Sequence, residues 1–561
     1  MLRKITPLAF LLLAALQTPA ATRYIVALKQ PHHNGGIAAV LHGEAEVAQH
    51  RVRQFENLDS FAADLTADEA ADLKRSPGVR YVEEVAARSL LEDEAPATLK
   101  PAPELSQFSV QQTTPWGVTA IHAPELWNLA AKAAPVNVVI LDTGIDATHP
   151  DLAAAYAGGY NTFDTAAAPV DDNGHGTHVA GTIAAQDNGF GVVGVAPNTR
   201  IWSIKVLDSH GKGDTEKIVA GLDWVLSKSK SLGGKWIVSL SLGGPEATTA
   251  DREAFQTIYD NGILAVAAAG NTGLGAVVYP GAYPTVIATG AIDQTFTRAG
   301  FSSFGPNMGV AAPGVGVLST ARVGSIPAAD VAIDGGATLN AFALRGSPRR
   351  DVTSSFVFCK LGRPEDFPPG VAGRVAVIER GCGTGTTDGC DLTFNEKVKN
   401  AMAAGATAAV IYNFKGGKDD IAIWTLIRQG CENTNCSDYQ PDLDYPWILA
   451  LGVSYDDGQK ILASSTLIAS ARGESYQSLN GTSMATPHAS GAASLVWSIA
   501  PDATAQDVRN ALFRGAADLG TTGYDLYYGY GMVNALASAK LLAPSLFGLP
   551  PLPQTPKRRP H

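Results

Sequence analysis

Three short segments carry residue types suited to acyl transfer. Val138-Val139-Ile140-Leu141-Asp142-Thr143-Gly144 puts Asp142 at the carboxyl end of an apolar strand, where ligand crevices of α/β sheets lie. His175-Gly176-Thr177-His178-Val179-Ala180 puts His175 where a loop enters a helix. Asn480-Gly481-Thr482-Ser483-Met484-Ala485 puts Ser483 at the start of another helix. A serine hydroxyl is a weak nucleophile until a base takes its proton. Imidazole, with a reference pKa of about 6.5, can take it at neutral pH. A buried carboxylate then fixes the imidazole tautomer and stabilises the imidazolium. Asn271 ends a further apolar strand in Ala267-Ala268-Ala269-Gly270-Asn271. Its amide can donate to an oxyanion beside the Ser483 backbone N–H, and a helix N-terminus favours that negative charge. His149, His178 and His488 read as packed structural histidines and Asp146 as a turn residue.

An α/β frame must hold these residues. Val136–Leu141, Ile201–Leu207, Trp236–Leu240 and Ile263–Ala268 read as buried strands, with helical stretches such as Thr177–Ala185 between them. That alternation predicts a parallel sheet covered on both faces. Upstream, residues 22–87 form an α+β pattern. Tyr24–Leu28, Phe61–Leu65 and Val79–Val85 read as strands, Glu44–Leu58 as a helix, and Thr66-Ala67-Asp68-Glu69 as a capping box opening another. Residues 88–110, rich in Pro, Glu and Ala, read as a linker. A different pattern intervenes from about 325 to 473, before a helix from Ser483 to about Ile499. Residues 546–561 read as a flexible Pro-rich tail.

Composition limits the function classes. The 561 residues include 42 Lys+Arg against 53 Asp+Glu, a net charge of −11, with 45% hydrophobic and 17% charged residues. That suits a multidomain globular protein. It excludes wholesale disorder and gives no basic footprint for nucleic acid. A positive start at Arg3-Lys4, an apolar run from Leu8 to Leu16 and small residues at Ala20-Ala21 describe a secretory signal peptide over 1–21. No later stretch is apolar enough to span a membrane, so an extracellular protein is expected. All five cysteines lie between Cys359 and Cys436, which suggests disulfides within one module. Cys382/Cys390 and Cys431/Cys436 are natural first pairs, although spacing alone does not fix them.

The Asp142, His175, Ser483 and Asn271 segments resemble the subtilisin-like serine proteases in type, order and strand–helix context. An α/β-hydrolase esterase would need a G-x-S-x-G elbow and the order Ser, acid, His. Gly481-Thr482-Ser483-Met484-Ala485 lacks the last glycine, and the order is reversed. A silent binding protein on this fold is opposed by the intact set of four. The resemblance implies a subtilisin-like parallel sheet flanked by helices, no catalytic cofactor, polypeptide substrates and a monomer. It implies a substrate groove edged by Gly211 and Gly213 on one side and Ser241, Leu242 and Gly243 on the other, with Gly270 beside it. Val278 stands at the primary specificity pocket where subtilisin has glycine, which implies a narrowed pocket. A structural calcium site is implied at Gln112, Asp151, Gln186, Asn188, Phe190 and Val192; calcium takes six to eight oxygens from such groups.

Residues 22–110 resemble the inhibitor-type propeptide and its linker, with a peptidase domain over 111–545 and self-cleavage within 104–112. Residues 335–470, with Gly373–Gly381 and Glu396-Lys397-Val398, resemble a β-rich protease-associated (PA) domain inserted before the serine.

Overall fold

The computed structural model describes residues 21–29, 51–91, 112–130, 135–334, 336–344, 346–381, 392–415, 426 and 445–550. The signal-peptide reading, four of the cysteines and residues 551–561 therefore lie outside the described residues.

The N-terminal unit is an antiparallel sheet of β1 (Thr22–Leu28), β2 (Arg51–Phe55), β3 (Ser60–Leu65) and β4 (Val79–Glu84), in the order β2-β3-β1-β4. Helix α1 (Ala67–Arg75) packs on it. Thr66 caps this helix, and Glu69 returns the bond to the Thr66 N–H at 2.7 Å. The expectation of a helix over Glu44–Leu58 fails in its second half, where Arg51–Phe55 is a strand. Pairing with β3 over Arg51–Phe55 decides this. It sends Phe55 into a core shared with the rest of the protein and Arg53 to the buried Glu216, 3.0 Å away.

Next comes β5 (Ala87–Leu90), within the stretch expected to be a linker. The large sheet follows: β6 (Asn137–Asp142), β7 (Tyr156–Asn161), β8 (Arg200–Lys205), β10 (Trp236–Leu240), β12 (Leu264–Ala268), β13 (Val286–Ile292) and β14 (Met308–Pro313). All pairings are parallel, in the order β14-β13-β12-β10-β6-β8-β7. Alternate residues of β6 explain its unbroken apolar run. Val138 and Ile140 enter one core with helices α2 (His175–Ala184) and α5 (Thr482–Ile499). Val139 and Leu141 enter the opposite core, with α3 (Thr215–Leu232) and α4 (Thr249–Asp260). Ile25, Phe55 and Ala62 of the N-terminal unit complete that second core. The unit is therefore docked onto α3 and α4. Glu83 strengthens the docking by accepting the Thr249 and Ala250 N–H groups at the α4 N-terminus, both 2.9 Å, where a helix favours negative charge.

A second, mixed sheet of eight strands runs from Ile326–Ile333 to Leu467–Glu474. It leaves and rejoins the main body through an antiparallel ribbon, Val317–Thr320 against Tyr476–Leu479. His178 holds both ribbon strands. Its Nε2 donates to Val317 O and Gln477 O at 3.0 and 3.2 Å. Just after this sheet's edge strand Phe356–Phe358, Cys359 is buried, and it pairs with no cysteine among the described residues. At the C-terminal end, Phe547 of the short turn Pro544–Phe547 packs on the main core. No helix among the described residues is long and apolar enough to cross a membrane.

Candidate active site

Asp142 ends β6, an interior strand of the parallel sheet, and is fully buried. Its Oδ1 accepts the Thr143 N–H and lies 2.8 Å from His175 Nδ1. A carboxylate only accepts, so Nδ1 carries the proton and the basic lone pair stays on Nε2. His175 opens α2, and a side chain at Gly176 would overlap the Gly144 carbonyl, so glycine lets the helix start against β6. Helix α2 packs against α5, whose first turn carries Ser483.

Ser483 Oγ donates to Ser241 O at 3.1 Å, and Ser241 Oγ donates to Ser483 O at 2.8 Å. Asn271 Oδ1 accepts both the N–H and the hydroxyl of Thr482, at 2.9 and 2.8 Å. A backbone N–H can only donate, which fixes the oxygen end of the amide. The nitrogen end is then the one turned away from Thr482.

The groove edges are β9 (Lys212–Asp214) and β11 (Leu242–Gly243), and β5 lies antiparallel between them. Leu90 N donates to Gly211 O at 2.9 Å. Gly211 is left-handed at φ +70, and a Cβ there would lie 2.6 Å from Leu90 Cδ1. The linker expectation for 88–110 is thus overturned up to Leu90. Free N–H and C=O groups of two strands more than 120 residues downstream supply the pairing, and local composition does not reveal them. Val278 packs between Gly243 of β11 and Gly270. A Cβ on Gly243 would sit 2.5 Å from its Cγ2, and one on Gly270 3.0 Å from its Cγ1. Leu91 reaches the same place, with Cδ2 3.3 Å from a Gly243 Cβ.

The sequence did not reveal Arg88 and Asp251. Both side chains are fully buried and pair at 2.6 Å. Burial pushes the Asp251 carboxyl up to about 6, against the pull of Arg88. An arginine in a polar stretch reads as solvated, and only the partner on α4 shows otherwise.

The six residues of the expected calcium loop come together. Gln112 Nε2 donates to Gln186 O at 2.6 Å and Val192 O at 3.3 Å. Asn188 Nδ2 donates to Asp151 Oδ1 at 3.0 Å, and Phe190 N to Asn188 Oδ1 at 3.3 Å. Asp151 is buried, and its Oδ2 accepts from Val192 N and from the Tyr476 hydroxyl, a partner not foreseen. Among the described residues no group of three His, Cys, Asp or Glu could hold a metal, so any cation here relies on the single Asp151 carboxylate together with amide and carbonyl oxygens.

The other histidines are structural in their contacts. His149 Nε2 donates to Ser475 O at 3.0 Å and His488 Nδ1 to Met484 O at 2.9 Å. Burial lowers the His488 imidazole to about 4. Its unfolded value is near 6.5, so below pH 6.5 the unfolded chain binds the extra proton and stability falls with falling pH. His488→Gln removes that titration. The stability gap between wild type and variant is expected to shrink by about 2–3 kcal/mol from pH 7 to 4.5. Melting curves at both pH values test this, and a constant gap would count against it.

Comparison with known proteins shows the family. Residues 134–335 and 380–531 match the model of the subtilase family, Peptidase_S8. An alkaline protease of Alkalihalobacillus alcalophilus is 36% identical over 282 residues, 50% of this chain and 67% of that protein. Subtilisin DY of Bacillus licheniformis is 45% identical over 213 residues, 37% of this chain and 75% of that protein. A solved psychrophilic subtilisin-like protease from Pseudoalteromonas sp. AS-11 is 31% identical, with a TM-score of 0.49, covering 77% of this chain and 99% of that one. With most of the peptidase part inside the family match, and two thirds of the first relative covered, this chain belongs to the subtilase family of serine proteases.

Proposed function

We propose that the protein is a secreted serine endopeptidase made as a self-processing zymogen, with residues 22–91 as its inhibitory propeptide. The observation that carries this reading is β5, the chain's own segment lying in the groove as an extended peptide would. Ser483 Oγ attacks the carbonyl carbon and gives its proton to His175 Nε2. Asp142 holds the imidazolium, and the Asn271 amide with the Ser483 N–H holds the oxyanion. Collapse breaks the C–N bond, and His175 returns the proton to the leaving amine. Water, activated by the same imidazole, then hydrolyses the ester and restores the Ser483 hydroxyl.

The processing window expected at 104–112 lies, up to residue 111, outside the described residues. The register of β5 supports a first cut after Leu91 instead. Leu90 pairs with Leu242, so Leu91 falls opposite Ser241, whose carbonyl is 3.1 Å from Ser483 Oγ. N-terminal sequencing tests this: the earliest processed species should begin at Glu92, and Ser483→Ala should keep residues 22–91 attached. A first species beginning elsewhere would overturn the assigned bond.

Val278 between Gly243 and Gly270 supports a preference for small or medium apolar residues before the cut. Val278→Gly should open the pocket and raise the Phe-to-Leu ratio of kcat/KM about tenfold, one to two kcal/mol of apolar contact. Peptides differing only at that position test it; an unchanged ratio would move the pocket elsewhere.

The calcium reading fits the donor set. The carbonyls of Gln186 and Val192 converge on one amide nitrogen of Gln112, beside a buried carboxylate to which no cationic side chain among the described residues is bonded. Bound calcium would offset the burial that raises the Asp151 carboxyl. Gln112, Asp151, Gln186, Asn188, Phe190 and Val192 would hold it. Chelation should lower Tm by several degrees in wild type, as mass action requires, and leave Asp151→Asn unmoved. Equal melting with and without chelator in wild type would remove the site. The mixed sheet, as a PA-type insert, would govern substrate access or partner binding.

A further inference from the structure

The seated strand also fixes which side chain meets which wall. Leu91 is the residue before the cut, so Arg88 is the fourth residue back from it. Its guanidinium leaves solvent completely. Nη2 donates to Asp251 Oδ2 at 2.6 Å and to Glu246 O at 2.9 Å, and Nε reaches the same carboxylate oxygen at 3.2 Å. Asp251 sits in the first turn of α4, its N–H on Thr248 Oγ1 at 3.2 Å. The Tyr283 hydroxyl holds the Thr248 backbone from the other side, at 3.0 and 3.1 Å. Gly244 leaves the wall bare: a Cβ there would be 2.9 Å from Arg88 Nη1. These wall residues belong to the peptidase part, so the pocket remains after the N-terminal unit departs. Among the described residues no other cation pairs with Asp251.

We propose that Asp251 makes this an arginine-selective subsite, so that preferred substrates carry Arg at the fourth position before the cleaved bond. The proposal rests on the endopeptidase reading above. A carboxylate buried under an apolar side chain is left without a partner, whereas arginine brings the charge and the fork of donors the pocket lacks. The chain's own segment is then a substrate of the preferred kind.

The test uses the processed enzyme and internally quenched peptides. One carries residues 86–94, Ala-Ala-Arg-Ser-Leu-Leu-Glu-Asp-Glu; two others carry Arg→Ala or Arg→Leu at the arginine. Casein hydrolysis is measured beside them. The arginine peptide should be cut between its two leucines with a kcat/KM about 100-fold above the others, mostly through KM. Asp251→Leu should invert the order, making the Arg→Leu peptide the best substrate, which a merely structural role would not do. Should that variant fail to fold, the wild-type comparison still decides. Casein digested with equal rates on the three peptides, or with none of them cut, would overturn the subsite. Casein left intact would overturn the peptidase reading, and the subsite with it.

Discussion

Ser483→Ala is expected to lower casein hydrolysis by about 10⁶-fold, the loss typical of removing the nucleophile from such a triad. The oxyanion donors and the groove remain, so a residual rate above that of water should persist. The fold should not suffer. Among the described residues Ser483 Oγ makes one hydrogen bond, to Ser241 O, and one such bond is worth about 1 kcal/mol. The Tm should therefore stay within a few degrees of wild type. Assays on matched preparations decide the matter: a variant keeping more than about 1% of the activity would place the nucleophile elsewhere.

Asp142→Asn should cost about 10⁴ in kcat at pH 7 with little change in KM. The two side chains are nearly isosteric, and the amide oxygen can still accept the Thr143 N–H. That same oxygen position, Oδ1, also faces His175 Nδ1, and a neutral amide there no longer stabilises the imidazolium that forms. An amide turned the other way puts its nitrogen against Nδ1, moves the imidazole proton to Nε2 and removes the base for Ser483. Asp142 is buried behind His175 and touches substrate only through it, so binding should survive. A loss below tenfold would remove Asp142 from the triad.

Much of the site was legible because its signals are local. Asp142 follows an apolar run that can only be a buried strand. His175 and Ser483 each open a helix, and Gly176 lets the first of these start against the strand that carries Asp142. Gln186–Val192 and the groove glycines are likewise short continuous segments, and the structure brings Gln112 and Asp151 to the first of them. Periodicity served the large parallel sheet well, since strands buried on both faces must be apolar throughout.

Other features depended on partners far away in the chain. Periodicity placed Val52 and Phe55 on one helical face, but pairing with β3 made Arg51–Phe55 a strand. Ala87–Leu90 has the composition of a linker and becomes a strand because the groove edges at β9 and β11 have hydrogen-bonding groups to pair. Arg88 looks solvated until Asp251, 163 residues later, meets it in a buried pocket. By itself the sequence determined the candidate reacting groups and the sheet that carries them, because such turns and apolar strands are encoded within a few residues. Only the tertiary structure decided what lies in the groove, which side chain each wall meets and where Cys359 is buried, because edge pairing and burial of charge depend on residues a local pattern cannot bring together.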